Sequence, residues 1–164
     1  MNYQRKIFGI FLLLVVTACQ KEIGFDPYIE MNHFSDCKNS PLETHSDYSS
    51  SQDCLTYQYD GDSTLQINHI NSGFNCCPGI ISVAFEQRGD TLLINESERQ
   101  SICDCDCLYD LNYTIHGLPP GSYVIFVKEP YVQPDCKKMM VPVDLKEQPI
   151  GEFCIERTFY PWGI

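Results

Sequence analysis

The sequence has no apolar stretch long enough to cross a bilayer as a helix, no convincing amphipathic segment and few basic residues. A membrane-spanning helix needs about 20 apolar residues, and the apolar run from Ile7 to Val16 is too short and is interrupted by Gly9. No segment repeats its apolar residues with a period near 3.6, so helices are not expected. Lys and Arg number 11 against 22 Asp and Glu, a net charge of -11. Such a surface repels phosphate backbones, which argues against nucleic acid as a partner.

The common catalytic and redox motifs are also missing. Gly-x-Ser-x-Gly, His-Glu-x-x-His and Cys-x-x-Cys do not occur; they are the signatures of a nucleophile elbow, a zinc protease and a dithiol exchange site. None of the histidines lies in a catalytic setting, namely His33, His45, His69 and His116. We therefore expect a protein without enzymatic activity and without a cofactor.

The N-terminus has the order of a lipoprotein export signal. Arg5 and Lys6 precede the short apolar run, which ends in Val16-Thr-Ala-Cys19. Small residues before a cysteine resemble the bacterial lipobox. The resemblance implies cleavage of a signal peptide (residues 1–18) and acylation of Cys19, by palmitate-type chains among others, which would anchor the chain stably in a membrane. Lys21 stands two positions after the cysteine. By resemblance to Gram-negative lipoproteins, this implies sorting to the outer membrane, on either its periplasmic or its surface face.

The mature chain is expected to be one domain on a tether. Removal of residues 1–18 leaves 146 residues, with 9 basic and 22 acidic side chains and a net charge of -13. Residues 19–36 have no apolar period and are predicted to be a lipidated, flexible tether. Residues 37–164 have the length of a single domain. Beyond the membrane, the expected partner is a protein or a glycan of unknown identity.

Period-two alternation predicts an all-β domain of about seven or eight strands. Leu55–Tyr59 and Leu65–Ile70 flank Asp60-Gly61, and a second alternating pair flanks Gly89-Asp90; such dipeptides between strands predict hairpins. Asp60-Gly-Asp-Ser resembles part of a calcium-binding loop but lacks its distal ligands, so we interpret it as a turn. Arg88-Gly-Asp has the sequence of an integrin-binding motif, and we interpret it as a hairpin turn as well. The regular spacing of the strands is typical of a sandwich or barrel.

One passage resembles a known family. Tyr113-Thr-Ile-His-Gly-Leu-Pro-Pro-Gly-Ser-Tyr-Val-Ile-Phe-Val127 is similar to the corner between strands E and F of fibronectin type III and carboxypeptidase-regulatory-like domains. The resemblance implies an immunoglobulin-like antiparallel β-sandwich in which Leu118 fills the core. It also implies a tyrosine corner, with the chain turning at Gly121 and Tyr123 bonding back to the backbone. This fold serves many functions and implies none.

Nine cysteines remain once Cys19 is acylated, and export places them where disulfides form. We expect most of them to staple the domain. The candidates are Cys37, Cys54, Cys76, Cys77, Cys103, Cys105, Cys107, Cys136 and Cys154. Because nine is odd, one thiol stays free, one pairs between molecules, or some of the cysteines bind metal. Cys136 with Cys154 is the expected local bridge, since it would enclose the penultimate strand.

The alternating triplet Cys103, Cys105 and Cys107 is the most distinctive feature. On an extended strand these three side chains would share one face, and bonds among them are disfavoured. Cys76 and Cys77 are the expected partners of the triplet, although sequence does not fix connectivity.

A thiolate metal site is the alternative to a disulfide ladder. Zinc or a soft metal would be bound by thiolates and one imidazole. The alternative ligands are Cys77, Cys105, Cys107 and His69. The Cys-x-Cys spacing is unusual for structural zinc, so disulfides are the preferred interpretation.

Overall fold

The computed structural model describes residues 26–38 and 47–163 of the chain, and the described part is all-β. The nine strands are β1 (Tyr28–Phe34), β2 (Gln52–Tyr59), β3 (Leu65–Asn75), β4 (Ile80–Arg88), β5 (Thr91–Arg99), β6 (Asp106–His116), β7 (Ser122–Lys128), β8 (Met139–Asp144) and β9 (Ile150–Glu156). The predicted signal peptide 1–18 and Cys19 lie outside the described residues. No helix in the described ranges is long and apolar enough to span a bilayer.

The strands form two sheets that pack face to face as a sandwich. The five-stranded sheet has the order β1-β6-β3-β2-β9, and the four-stranded sheet has the order β4-β5-β7-β8. The predicted all-β, disulfide-stapled sandwich is confirmed. The expectation of purely antiparallel pairing is wrong at one place, because β5 and β7 run parallel. β6 lies between them in sequence but belongs to the other sheet, so the chain reaches β7 by a crossover and not by a hairpin.

Alternation of side chains places an apolar core between the sheets. The five-stranded sheet contributes Leu55, Ile67 and Leu111, and the four-stranded sheet contributes Leu92 and Ile125, all at most 1% exposed. Side chains at every second position of a strand share one face. The inner face of each sheet therefore follows directly from the pattern of buried residues in β2, β3, β5 and β6.

Turn residues form both predicted hairpins. The carboxylate of Asp60 accepts hydrogen bonds from the backbone N–H groups of Asp62, Ser63 and Thr64, each at 2.9 Å, and these bonds lower the pKa of Asp60 to about 2. Gly61 has φ +88°, a conformation that favours glycine. The carboxylate is thus occupied by its own turn, which accounts for the motif without a calcium ion.

Two regions differ from the sequence-based expectation. Residues 28–34, assigned to the tether, form β1, because Ile29 and Met31 pack on the core while the backbone pairs with β6. β7 has apolar residues on both faces, which predicts a central strand covered on both sides. It is central in its sheet, but the outer Val124 and Phe126 are only half-buried. No described element covers them, and Phe126 instead stands in register with Leu93 and Met140.

The C-terminal residues pack on the domain without forming the end of a strand. β9 stops at Glu156, and Trp162, 1% exposed, lies against Gly73. Its indole N–H donates to the carbonyl oxygen of Asn71 at 2.7 Å. A Cβ at Gly73 would stand 2.7 Å from the indole ring, so this position requires the absence of a side chain.

Candidate functional site

The cysteines form four disulfides in the described structure. The pairs are Cys37–Cys107, Cys54–Cys154, Cys76–Cys105 and Cys77–Cys103. Cys136 is the cysteine left over. The bridge from Cys136 to Cys154 is wrong: β9 pairs with β2, which places Cys154 directly opposite Cys54 with 4.1 Å between their Cα atoms.

The triplet does not present its three thiols on one face. β6 begins at Asp106, so only Cys107 lies within the strand, and it bonds Cys37. Cys103 and Cys105 precede the strand and bond the adjacent Cys77 and Cys76. The two bridges fasten the end of β3 to the segment leading into β6, beside the backbone bond from the Cys76 N–H to the carbonyl oxygen of Cys105.

The four alternative metal ligands are not brought together. The sulfur of Cys107 is bonded to Cys37, and the His69 ring is held between Asp53 and Glu96. A different set converges instead: the sulfur atoms of Cys76, Cys77 and Cys103 all lie within 4.8 Å of one another.

The residues of the tyrosine corner are placed at the crossover from β6 to β7. Leu118 is fully buried, and the hydroxyl of Tyr123 donates to the carbonyl oxygen of Pro119 at 2.9 Å. The hydroxyl of Tyr59 donates to the carbonyl oxygen of Leu118 at 2.9 Å. These contacts hold the crossover in place.

A network of ionisable residues is buried between the two sheets. His69 on β3 bonds Asp53 on β2 at 2.8 Å and Glu96 on β5 at 2.7 Å. Arg157, directly after β9, bonds Asp53 at 2.7 Å through Nε and Glu129, directly after β7, at 3.0 Å. Asp53 and His69 are fully buried, and the other three are at most 7% exposed. The network therefore joins the five-stranded sheet to the four-stranded sheet.

Proton positions follow from the contacts of the network. Burial disfavours the charged imidazole, but the carboxylates of Glu96 and Asp53 outweigh it and raise the pKa of His69 well above its usual value. Burial, reinforced by Asp53, raises the pKa of Glu129 to about 8. At neutral pH His69 is then charged and Glu129 is mostly neutral. Its Oε2 atom is the one buried side-chain oxygen or nitrogen of the described residues that lacks a hydrogen bond.

The network is closed to ligands. Ser72 donates to Glu96 at 2.7 Å, Arg157 donates to the carbonyl oxygen of Lys137 at 2.7 Å, and the guanidinium carbon of Arg157 lies 5.5 Å from the centre of the Trp162 ring. Three groups of the network, on Asp53, His69 and Glu129, are spaced closely enough for a metal ion. The guanidinium of Arg157 already bonds the carboxyl groups of both Asp53 and Glu129, so it takes the place that a metal ion would have.

Sequence reasoning missed this network, although a signal was present. Glu96 continues the inward-facing series Leu92, Ile94 along β5, and Asp53 stands in the inward-facing series with Leu55. A carboxylate in such a series must be paired when it is buried. His69 follows Leu65 and Ile67 on the inward face of β3, which identifies it as a partner for these carboxylates.

The middle of the outer face of the five-stranded sheet carries a group of uncharged polar side chains, and we call this group the amide face. It comprises Asn32, Thr56, Gln58, Gln66, Asn68 and Asn112, all exposed or half-buried. Asn68 stands opposite Asn112 and Thr56 in the strand register.

Four of these side chains form a hydrogen-bonded row across the sheet. Asn32 donates to the side-chain oxygen of Asn112 at 2.7 Å, Asn112 donates to that of Asn68, and Asn68 donates to the Thr56 hydroxyl at 3.2 Å. Asn68 and Asn112 each give one bond and receive one, so each keeps one amide hydrogen and one oxygen lone pair for solvent or a ligand. Asn32 keeps only its oxygen, because it also donates to the Thr114 hydroxyl at 2.8 Å.

Two pairs of side chains mark the borders of the amide face. On the β1 side, Tyr28 (56% exposed) stacks on His116 with ring centres 4.9 Å apart. On the β9 side, Glu152 accepts a bond from Tyr48 at 2.5 Å, and Ile150 is 64% exposed beside Gln58. An exposed aromatic ring and an exposed aliphatic side chain thus stand at opposite borders of the amide face, each beside a glutamate, Glu30 on the β1 side and Glu152 on the β9 side.

Comparison with family models, with curated proteins and with solved structures gives no match to this chain.

Proposed function

We propose that this chain is a lipid-anchored binding module of the cell envelope, which acts by binding a partner on its amide face and not by catalysing a reaction. The observation that supports the proposal is the amide face itself, an open row of oriented amides that the fold does not need for its core. The signal-like N-terminus supports the location, because an acylated Cys19 would hold the domain at a membrane.

The anchor and the outer-membrane location are tested by labelling and fractionation. Wild-type cells grown with labelled palmitate should incorporate the label into the chain, which should sediment with the outer membrane. The Cys19→Ala variant should carry no label. Retention of label by Cys19→Ala would contradict acylation at this position.

The binding surface is tested with the exported Cys19→Ala chain, whose attachment no longer depends on lipid. It should sediment with isolated cell-envelope material, and Gln66→Lys should reduce that binding because a long charged side chain then stands in the middle of the amide face. Gln133→Lys is the matched control, since Gln133 is an exposed glutamine on the loop before β8. Equal binding by Gln66→Lys and the wild type would refute the amide face as the binding surface.

A second candidate function is metal binding by thiolates, and the close approach of the Cys76, Cys77 and Cys103 sulfur atoms favours it. Reduction of the two bridges at this end of the sandwich would release thiolates at a spacing suited to zinc or another soft metal. Intact mass separates the candidates. Four disulfides should make the exported chain eight hydrogens lighter than its reduced form, whereas stoichiometric zinc with free thiols would favour the metal.

A further inference from the structure

We propose that the ligand of the amide face is a neutral polysaccharide, a proposal that rests on the function proposed above. The claim concerns the chemical class of the ligand: a repeating, uncharged polymer rich in hydroxyl groups. It is argued first from the ligands that the face disfavours and then from the contacts that it offers.

Ionic ligands do not fit the amide face. Its six positions carry no lysine, arginine or carboxylate, so neither an anion nor a cation finds a charge partner among them. The carboxylates nearest to it are already engaged within the fold: Asp110, two positions before Asn112 on β6, pairs with Lys38, Glu30 on β1 lies 3.5 Å from the His116 imidazole, and Glu152 on β9 accepts a bond from the Tyr48 hydroxyl. Glu30 and Glu152 stand at opposite borders of the sheet, four strand spacings of about 4.8 Å or roughly 19 Å apart, too far for one ion.

A protein partner is also disfavoured. The energetic centre of a protein interface is usually built from Trp, Tyr or Arg side chains in desolvated pockets. The centre of the amide face is instead made by Gln66 and Asn68 on β3, both exposed, with polar neighbours on the adjacent strands. Pairing with an added strand would use a sheet edge and not this face.

Hydroxyl-rich ligands fit the free hydrogen-bonding capacity of the row. A sugar hydroxyl both donates and accepts, and Asn112, with one bond given and one received, keeps one hydrogen and one lone pair on the side facing solvent. The row also fixes the orientation of its amides, which lowers the entropy lost on binding. Gln58 and Gln66 make no side-chain bond to another described residue, so their amides are available as well.

A polymer fits better than a single sugar. Similar polar side chains recur at the strand spacing across the sheet, so successive units of a repeating ligand would make similar contacts. Linked weak contacts raise the overall affinity above that of a single unit. The exposed Tyr28 ring at the β1 border offers an apolar surface to the C–H face of a sugar ring. An acylated Cys19 would keep this face within reach of envelope or surface glycans.

The test uses the mature lipoprotein purified in detergent and insoluble neutral polysaccharides as probes, namely cellulose, chitin, xylan and starch. At least one should retain the wild-type protein, and heparin–agarose should not. The double variant Asn68→Ala/Asn112→Ala should bind that polymer about tenfold more weakly or worse, as expected for the loss of two or more hydrogen bonds. Asn95→Ala is the matched control, because Asn95 lies half-buried on the outer face of β5, and it should bind like the wild type.

A second variant guards against a folding defect. Gln58→Ala/Gln66→Ala removes amides that take no part in the row and should also weaken retention while leaving the unfolding midpoint unchanged. Retention by none of the neutral polymers, retention only by heparin–agarose, or equal binding by both double variants and the wild type would overturn the proposal. If envelope binding is lost in Gln66→Lys while no neutral polymer retains the wild type, the amide face stands as a binding surface and the ligand class is refuted.

Discussion

Polar side chains cross the same central strands on the inner and the outer face of the five-stranded sheet, with opposite consequences. On the inner face, Asp53 and His69 are fully buried and bonded to each other, and His69 also bonds Glu96 of the other sheet. On the outer face, Thr56, Asn68 and Asn112 are uncharged and bond only within their own layer. The comparison teaches that the inner polar residues hold the two sheets together, whereas the outer ones leave their remaining bonding capacity open.

Breaking the inner network should have the largest effect. Arg157→Met removes the guanidinium that bonds both Asp53 and Glu129 and leaves two buried carboxyl groups without those hydrogen bonds. We expect the free energy of unfolding to fall by about 3–5 kcal/mol, measured by urea unfolding with the disulfides intact and followed through the single tryptophan, Trp162. Arg99→Met, at the exposed end of β5, is the control and should change little. A wild-type stability for Arg157→Met would show that the network does not join the sheets.

Titrating the inner network should have an intermediate effect. The pKa of Glu129 is raised by burial to about 8 from an ordinary value of 4.5, so the folded state binds this proton more tightly than the unfolded chain. The contribution of this proton to the free energy of unfolding is complete below about pH 4.5 and is lost as the pH rises through about 8. Between these two values the free energy of unfolding should fall by on the order of 1 kcal/mol per pH unit. The raised pKa of His69 acts in the same direction, since its contribution is complete below pH 6.5 and is lost as the pH rises through the folded-state value.

Glu129→Gln tests the contribution of Glu129 to this pH dependence of stability. The amide keeps an oxygen for the Arg157 guanidinium and has no proton to lose, so stability should decline less between pH 6 and pH 9 than in the wild type. Glu147→Gln, in the exposed turn before β9, should leave the slope unchanged. An identical slope for Glu129→Gln and the wild type would show that Glu129 does not titrate with folding.

Removing the outer row should have the smallest effect on stability. Asn68→Ala/Asn112→Ala deletes exposed cross-strand pairs, each worth about 0.2–1 kcal/mol, and leaves no buried group without a partner. We expect a loss of about 1 kcal/mol or less in urea unfolding. A loss as large as that of Arg157→Met would mean that the row is needed for the fold and would remove the contrast between the two faces.

The sequence predicted the parts of the fold that depend on local rules. Asp60-Gly61 and Gly89-Asp90 marked both hairpins, and β8, which contains Pro142, lies at a sheet edge, as a proline within a strand indicates. β1 was missed because seven residues with only two inward apolar side chains resemble a tether until their partner strand is known. The Cys54–Cys154 bridge depends on β9 lying beside β2, about 100 residues away in sequence; such a long-range pairing has no local signal.

The candidate site was predicted less well, for the same reason. The amide face exists only once β1, β6, β3 and β2 lie side by side, since Asn32, Asn68 and Asn112 are far apart in the chain and none has a local motif. The buried network had a partial signal in the inward positions of Glu96 and His69. Its closure depends on Arg157 and Glu129, which follow the ends of two strands from different sheets.

The most direct test of the account is a titration of the exported chain with soluble fragments of the neutral polysaccharides, followed by the NMR signals of side-chain amides. The account predicts that one fragment series shifts the signals of Gln58, Gln66, Asn68 and Asn112 while that of Asn95, on the other sheet, stays in place. Unchanged signals from the amide face with every fragment, or shifts confined to the four-stranded sheet, would contradict it.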